Sequence, residues 1–174
     1  PGKNVFDARI AAIMGWACGA ALADGGADFR SDGSNGFAGT TGYFRKFDAG
    51  KHGNRSAYNK ALWFFGWTFA GAGCTIVSGA IAERATFLAY ALYSVILTGF
   101  VYPPVVHMMW TSGKFSAWSS GPRLFGGCGV IDFAGSGTVH MTGGVAALIA
   151  AACIGVRKGF PDALPEGQPV YQAL

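Results

Sequence analysis

Three stretches of this chain, 61–82, 87–110 and 133–156, contain no Asp, Glu, Lys or Arg. Each runs for more than about 20 residues, which at about 1.5 Å per helical residue crosses a hydrocarbon core of roughly 30 Å. Soluble helices rarely remain apolar on every face over such a length. A helix can do so in lipid because it satisfies its own backbone hydrogen bonds. A fourth, weaker segment covers 5–23, with Asp7 and Arg9 near its start and Asp24 closing it. The pattern predicts an all-α membrane protein, a polytopic transmembrane helix bundle, with helices near 5–23, 61–82, 87–110 and 133–156. Polar connections fall at 24–60, rich in Gly, Ser, Asn and charge, and at 111–129, rich in Gly and Ser.

Composition agrees with a membrane setting. Only 13% of residues are charged and 51% are hydrophobic, against a soluble norm of about 25% charged. The 28 glycines suit closely packed membrane helices. The second segment carries a small residue at every fourth position, Gly66, Ala70, Cys74, Ser78 and Ala82, and the fourth a similar line of Ser136, His140 and Gly144. Both lines predict faces that accept a neighbouring helix. Tyr102-Pro103-Pro104 predicts a kink in the third segment.

Several function classes are excluded. The net charge of +4 is mild, and no basic block with interleaved aromatics is present, so nucleic acid is not an expected partner. The four cysteines, Cys18, Cys74, Cys128 and Cys153, form no C-x-x-C pair. They read as buried thiols, with no disulfide framework and no metal site. No nucleophile–base pair or phosphate loop points to an enzyme, and no cofactor is implied. The chain opens on Pro1 and closes on Val170-Tyr171-Gln172-Ala173-Leu174, so 1–174 reads as a partial sequence. A raw count of basic residues favours a cytoplasmic 24–60 loop, although that loop also holds Asp24, Asp28, Asp32 and Asp48.

Asp132 and His140 stand eight positions apart around the fourth segment, about 12 Å along a helix axis. They are not a contact pair. Ionisable groups at membrane depth are costly and usually functional. Asp132 reads either as a helix N-cap or as a carboxylate whose field favours a cation near a pore mouth. His140 reads either as a packing hydrogen-bonder or as a neutral imidazole, one donor and one acceptor, lining a path for a small polar solute. Phe65 and Phe69 share a helix face, and Trp110 ends the third segment. They read as lipid contact, core and interfacial anchor, or as an aromatic vestibule that attracts a cation.

These residues resemble the ammonium transporter family, in its algal and plant branch. The similarity rests on Phe65-Gly66-Trp67-Thr68-Phe69-Ala70, Ile76-Val77-Ser78-Gly79-Ala80-Ile81-Ala82-Glu83-Arg84 and Leu97-Thr98-Gly99-Phe100-Val101-Tyr102-Pro103. It continues through His107-Met108-Met109-Trp110 and the run from Gly129-Val130-Ile131-Asp132-Phe133-Ala134-Gly135-Ser136 to His140-Met141. The resemblance implies part of one five-helix inverted repeat, holding about the second to fifth membrane helices of a homotrimeric plasma-membrane protein. It implies a cytoplasmic Glu83-Arg84 turn, opposite to the raw charge count. It implies an outer ammonium site at Trp110 and Phe65 supported by Asp132, a gate at Phe69, and a pore histidine at His140. The implied process is recruitment of ammonium, loss of its proton, and passage of ammonia past the imidazole. That process requires His140 to share a cavity with Phe65, Phe69 and Trp110. Other readings of the resemblance are an ammonium sensor of the same fold and an inert incomplete fragment.

Overall fold

The computed structural model describes residues 2–25, 35–44, 53–119, 123–124 and 126–156. The charged stretches at 26–34 and 45–52, Arg157-Lys158 and the segment 170–174 lie outside them. The described residues form an all-helical bundle, with no strand beyond an isolated bridge between Ser116 and Val130. We label the helices α1 (Gly2–Asp24), α2 (Gly53–Ile81), α3 (Phe87–Trp110) and α4 (Ser136–Ile154). All four are long and apolar enough to cross a membrane, α2 through its Lys60–Ile81 part. Helices α1 and α4 each pack against both α2 and α3.

Two helix starts differ from expectation for local reasons. Helix α2 begins at Gly53, inside the stretch expected to be a polar loop. Residues 54–60 contain no Pro or Gly to break it, and a formed helix extends at low cost once nucleated. Helix α4 begins at Ser136 rather than 133, because Gly135 sits at φ 81°, a left-handed turn that ends the extended approach. The expected disturbance in α3 takes the form of a wider, π-type turn over Leu97–Val101, just before the prolines. Pro103 and Pro104 cannot donate to the carbonyls of Gly99 and Phe100, and the wider turn relieves their clash with those groups. Helix α1 carries a matching turn at Gly15–Gly19. The two meet where the Cys18 thiol lies 3.6 Å from the Gly99 carbonyl. A Cβ on Gly99 would sit 2.3 Å from Met14 Cε, so a larger residue there would have to displace the end of the Met14 side chain.

The small-residue line of α2 is buried at Ala70, Cys74 and Ser78, while Gly66 is exposed. The line expected on α4 does not face the bundle: Ser136, His140 and Gly144 are all exposed. The packed face of α4 is turned by one residue, through Val139 and Gly143. A Cβ on Gly143 would meet the Gly73 carbonyl at 2.9 Å and Ile76 Cβ at 3.0 Å, so α2 and α4 approach backbone to backbone there. The reading of all four cysteines as buried is also corrected. Cys74 is buried and Cys18 half-buried, but Cys128 and Cys153 are exposed. An apolar sequence stretch does not separate a core-facing thiol from an outward one.

Asp7, which weakens the first segment as a sequence, holds the bundle together. It is 0% exposed. The Tyr90 hydroxyl donates to its Oδ2 at 2.5 Å and the Ser94 hydroxyl to its Oδ1 at 2.9 Å. Lys3 Nζ lies 5.2 Å from the Tyr90 ring centroid and donates to the Ala82 carbonyl near the end of α2. One carboxylate therefore ties α1 to α3, with a cation one ring away. The Trp67 indole donates to the Ala8 carbonyl at 2.7 Å and ties α2 to the same stretch of α1. At the same end, Arg84 donates to the Gly155 carbonyl that closes α4. Removing the carboxylate takes the acceptor from the buried Tyr90 hydroxyl, at about 1–3 kcal/mol, while the Ser94 hydroxyl keeps the Tyr90 carbonyl at 3.0 Å. In the full-length protein, Asp7→Ala is expected to lower the thermal midpoint in detergent well below that of the parent. Asp7→Asn, which keeps one acceptor oxygen, is expected to fall between them. An Asp7→Ala protein as stable as the parent would remove the clasp from the account.

Candidate functional site

Residues of α1 and α3, the first part of the α2 span and the segment 131–133 before α4 line a cavity of about 360 Å³. Phe65, Phe69, Trp110 and Asp132 all line it, with Trp67 and Phe133. Eight aromatic residues stand in this wall. The Phe65 and Phe69 rings meet edge-on, 4.7 Å apart, because they sit one turn apart on α2. Phe69 meets Trp110 edge-on at 5.4 Å and 80°. Phe69 is thus held between the other two rings, on the inward side of Phe65. Phe65 remains 56% exposed.

Two features fix Trp110. Its indole N–H donates to the Asp132 backbone carbonyl at 2.6 Å. The turn before α4 also runs against it: a Cβ on Gly135 would lie 3.2 Å from Trp110 Cζ2. With its donor occupied, Trp110 offers a ligand chiefly its ring face, the part that attracts cations.

Asp132 itself caps α4, by a longer reach than a residue directly before the helix would need. The Thr138 backbone N–H and the Thr138 hydroxyl both donate to Oδ2 at 2.7 Å, and the Ser136 hydroxyl donates to Oδ1 at 3.1 Å. The sequence allows two readings, a cap and a field source, and this geometry accommodates both. Burial pushes its pKa up, but the donors from Thr138, Gly137 and Ser136 outweigh burial and hold the carboxyl below its usual range.

His140 is not brought to this cavity. It is exposed, on the outer face of α4, and does not line the cavity that holds Phe65, Phe69 and Trp110. The reason is the rotation of α4, which turns Val139 and Gly143 inward instead. Of the described histidines, His107 is the buried one, at 0% exposure. Its Nδ1–H donates to the Ala23 carbonyl at 2.8 Å, and Thr111 Oγ1 reaches the same carbonyl at 3.1 Å. This pair bolts the end of α1 to the end of α3 behind the cavity. Its one sequence signal is position, within a turn of Trp110. Asp24, last residue of α1, also lines the cavity and is buried. In the sequence it reads only as a helix terminator. Trp118, from the 111–129 connection, closes part of the cavity wall. Among the described residues, no His, Cys, Asp and Glu come together as a metal site.

A depressed Asp132 pKa has a definite sign. The group binds protons less readily folded than unfolded, so its contribution is complete above the ordinary aspartate value of about 4. It is lost as pH falls below that value, through the lower folded pKa. Full-length protein is therefore expected to lose thermal stability as pH falls below about 4 more steeply than Asp132→Asn. At pH 7, Asp132→Ala is expected to cost about 1–2 kcal/mol as a lost cap. Parallel pH profiles for parent and Asn variant would contradict this assignment.

The sequence model of the Ammonium Transporter Family matches residues 2–172. The chain is similar to Ammonium transporter 1 member 1 of Oryza sativa subsp. japonica, at 46% identity over 158 residues, covering 90% of this chain and 29% of that protein. It is 45% identical over 157 residues to Ammonium transporter 1 member 2 of Arabidopsis thaliana, covering 90% of this chain and 29% of that protein. It is 41% identical over 167 residues to Ammonium transporter Amt2 of Archaeoglobus fulgidus, covering 96% of this chain and 33% of that protein. The chain spans about a third or less of the length of these relatives. A match along nearly the whole chain, over a bundle of four apolar helices, places it: the chain belongs to the Ammonium Transporter Family.

Proposed function

We propose that this chain is part of a multi-pass integral membrane protein that carries ammonium or ammonia across the plasma membrane, working as a homotrimer when full length. One observation carries the reading: a single cavity gathers Phe65, Phe69, Trp110 and Asp132 at one end of the bundle. Ring faces attract a cation by roughly 0.5–2 kcal/mol, more as water is removed. The Asp132 carboxylate adds a favourable field without needing to touch the ion. In this reading the cavity is the outer recruitment site, and the end carrying Lys3, Glu83 and Arg84 faces the cytoplasm.

Phe69 then acts as a barrier. Its ring, held between Phe65 and Trp110, gives no polar group to replace lost water. A bare cation in such a passage is costly, whereas neutral ammonia is not. Ammonium therefore gives up its proton at the mouth, to water or to a path leading inward, and ammonia passes Phe69. The sequence reading requires His140 in this same cavity. It lies outside it among the described residues, so passage along the imidazole has no support here and the reading rests on the aromatic cavity alone. The relatives named as ammonium transporters support the solute, and the apolar helices support the setting.

The test is uptake and current in cells lacking their own ammonium uptake and expressing the full-length protein. Trp110→Leu is expected to raise the apparent KM for ammonium about 2- to 30-fold, the loss of a cation–π contact. His140→Ala is expected to leave KM nearly unchanged, since His140 lies outside the cavity. Wild-type full-length protein that moves no ammonium would defeat the proposal.

A further inference from the structure

One ring of the cavity wall comes from the connection between α3 and α4 and has no task in the transport scheme. Trp118 lines the same cavity as Phe65, Phe69 and Trp110, yet it is 71% exposed. A single exposed tryptophan carries no meaning by itself, since folded proteins leave many apolar side chains in water. Trp118 differs in two respects. It stands in the wall of a cavity read as a cation vestibule, and the backbone beneath it is held in place.

The connection is stitched to the elements on both sides of it. At the α3 end, the Gly113 N–H donates to the His107 carbonyl at 3.0 Å and the Phe115 N–H to the Met108 carbonyl at 3.1 Å. Towards α4, Ser116 forms a bridge with Val130. The Val130 N–H donates to the Phe115 carbonyl at 2.6 Å, and the Ala117 N–H donates to the Val130 carbonyl at 3.2 Å. Gly129 permits this approach: it sits at φ 72°, and a Cβ there would lie 2.6 Å from Ala117 Cα. The Trp118 N–H itself donates at 3.1 Å to the hydroxyl of Ser116, which is 0% exposed. Trp118 is therefore presented by a fixed turn. Through Val130 that turn is tied to the segment carrying Asp132, whose carbonyl holds the Trp110 indole at 2.6 Å.

We infer that Trp118 is a further cation-binding residue of the vestibule: its ring face makes contact with ammonium, or with a methylated ammonium, at the rim and ahead of Trp110. This inference rests on the recruitment reading of the cavity and extends that site outward by one ring. Tryptophan has the ring face that attracts a cation most strongly, and aromatic surfaces recognise methylated ammonium groups as well. At an exposed rim the ion keeps part of its water, so the contact is weaker than a desolvated one. It raises occupancy of the mouth and leaves passage beyond Phe69 unaltered. Its signature is a change in KM at constant maximal rate. Anchoring at the membrane interface, the other use of a tryptophan in such a place, changes the amount of protein at the surface instead.

The experiment uses the full-length protein in cells without other ammonium uptake, with the amount at the surface measured for each variant. Trp118→Leu keeps apolar bulk and removes the ring. It is expected to raise the apparent KM for ammonium and for methylammonium about two- to fivefold, the loss of an exposed cation–π contact. Its maximal rate per molecule at the surface should be unchanged. Trp118→Phe, which keeps a ring, should fall between Trp118→Leu and the parent. If Trp118→Leu does not reach the membrane, Trp118→Gln removes the ring with a polar side chain suited to an exposed site, and its KM is read in the same way. An unchanged KM in the ring-free variant, equal losses in the Leu and Phe variants, or a change confined to surface amount or maximal rate overturns the role of Trp118 while leaving the recruitment site standing. Wild-type protein without ammonium uptake overturns the recruitment reading itself.

Discussion

The end of the bundle that holds the cavity depends on one residue bonding in two directions. The backbone carbonyl of Asp132 takes the Trp110 indole N–H, and its carboxylate takes the first turn of α4. The end of α3 and the start of α4 are thereby fixed to the same peptide. Gly135 allows this, since its φ of 81° lets the chain turn beneath the tryptophan without a Cβ in the way. The aromatic wall follows from that joint. Trp110 cannot rotate without giving up its hydrogen bond to the Asp132 carbonyl, and Phe69 rests edge-on against it. A preorganised ring face binds a cation without first ordering itself, which is where much of the binding free energy would otherwise be lost.

The same economy of polar groups runs through the rest of the bundle. In a medium that cannot hydrogen-bond, each buried donor or acceptor must find a partner within the protein. Asp7 finds Tyr90 and Ser94, His107 finds Ala23, and Trp67 finds Ala8. Each bond joins different helices. Apolar surface alone does not specify how membrane helices pack, since lipid tails are equally apolar. These few polar ties, with close approaches at Gly99 and Gly143, fix which face of each helix turns inward.

The legibility of this structure in the sequence follows the same division. The helices are visible because uncharged runs of membrane-spanning length have few other solutions. The aromatic site is visible because Phe65, Phe69 and Trp110 fall in recognisable motifs, and the cavity does collect them. What the sequence hides is rotation. Helix α4 is apolar and small on several faces, so the line Ser136, His140, Gly144 is as plausible an inner face as Val139 and Gly143; contact with Gly73 and Ile76 decides it. Pairings across long separations are hidden too. Asp7 reads as a flaw in a membrane segment, and only the meeting with residues 83 and 87 positions away turns it into a clasp. The parts of His107 and Asp24 are hidden for the same reason, since a shared joint between the ends of α1 and α3 leaves no local pattern.

The outward face of α4 carries the argument one step further. It exposes Met141, Val145, Leu148 and Ile149, which lipid would accept, together with Ser136 and His140, which lipid would not. An imidazole at that depth needs a partner for both ring nitrogens or water in a cavity. The Gly144 backbone beside it is open, with no atom near the place a Cβ would occupy. A polar ring next to an uncovered, small-residue backbone is the surface against which another helix packs closely. A neighbouring protein helix on this face would meet that need, and relatives about three times longer than this chain contain further sequence.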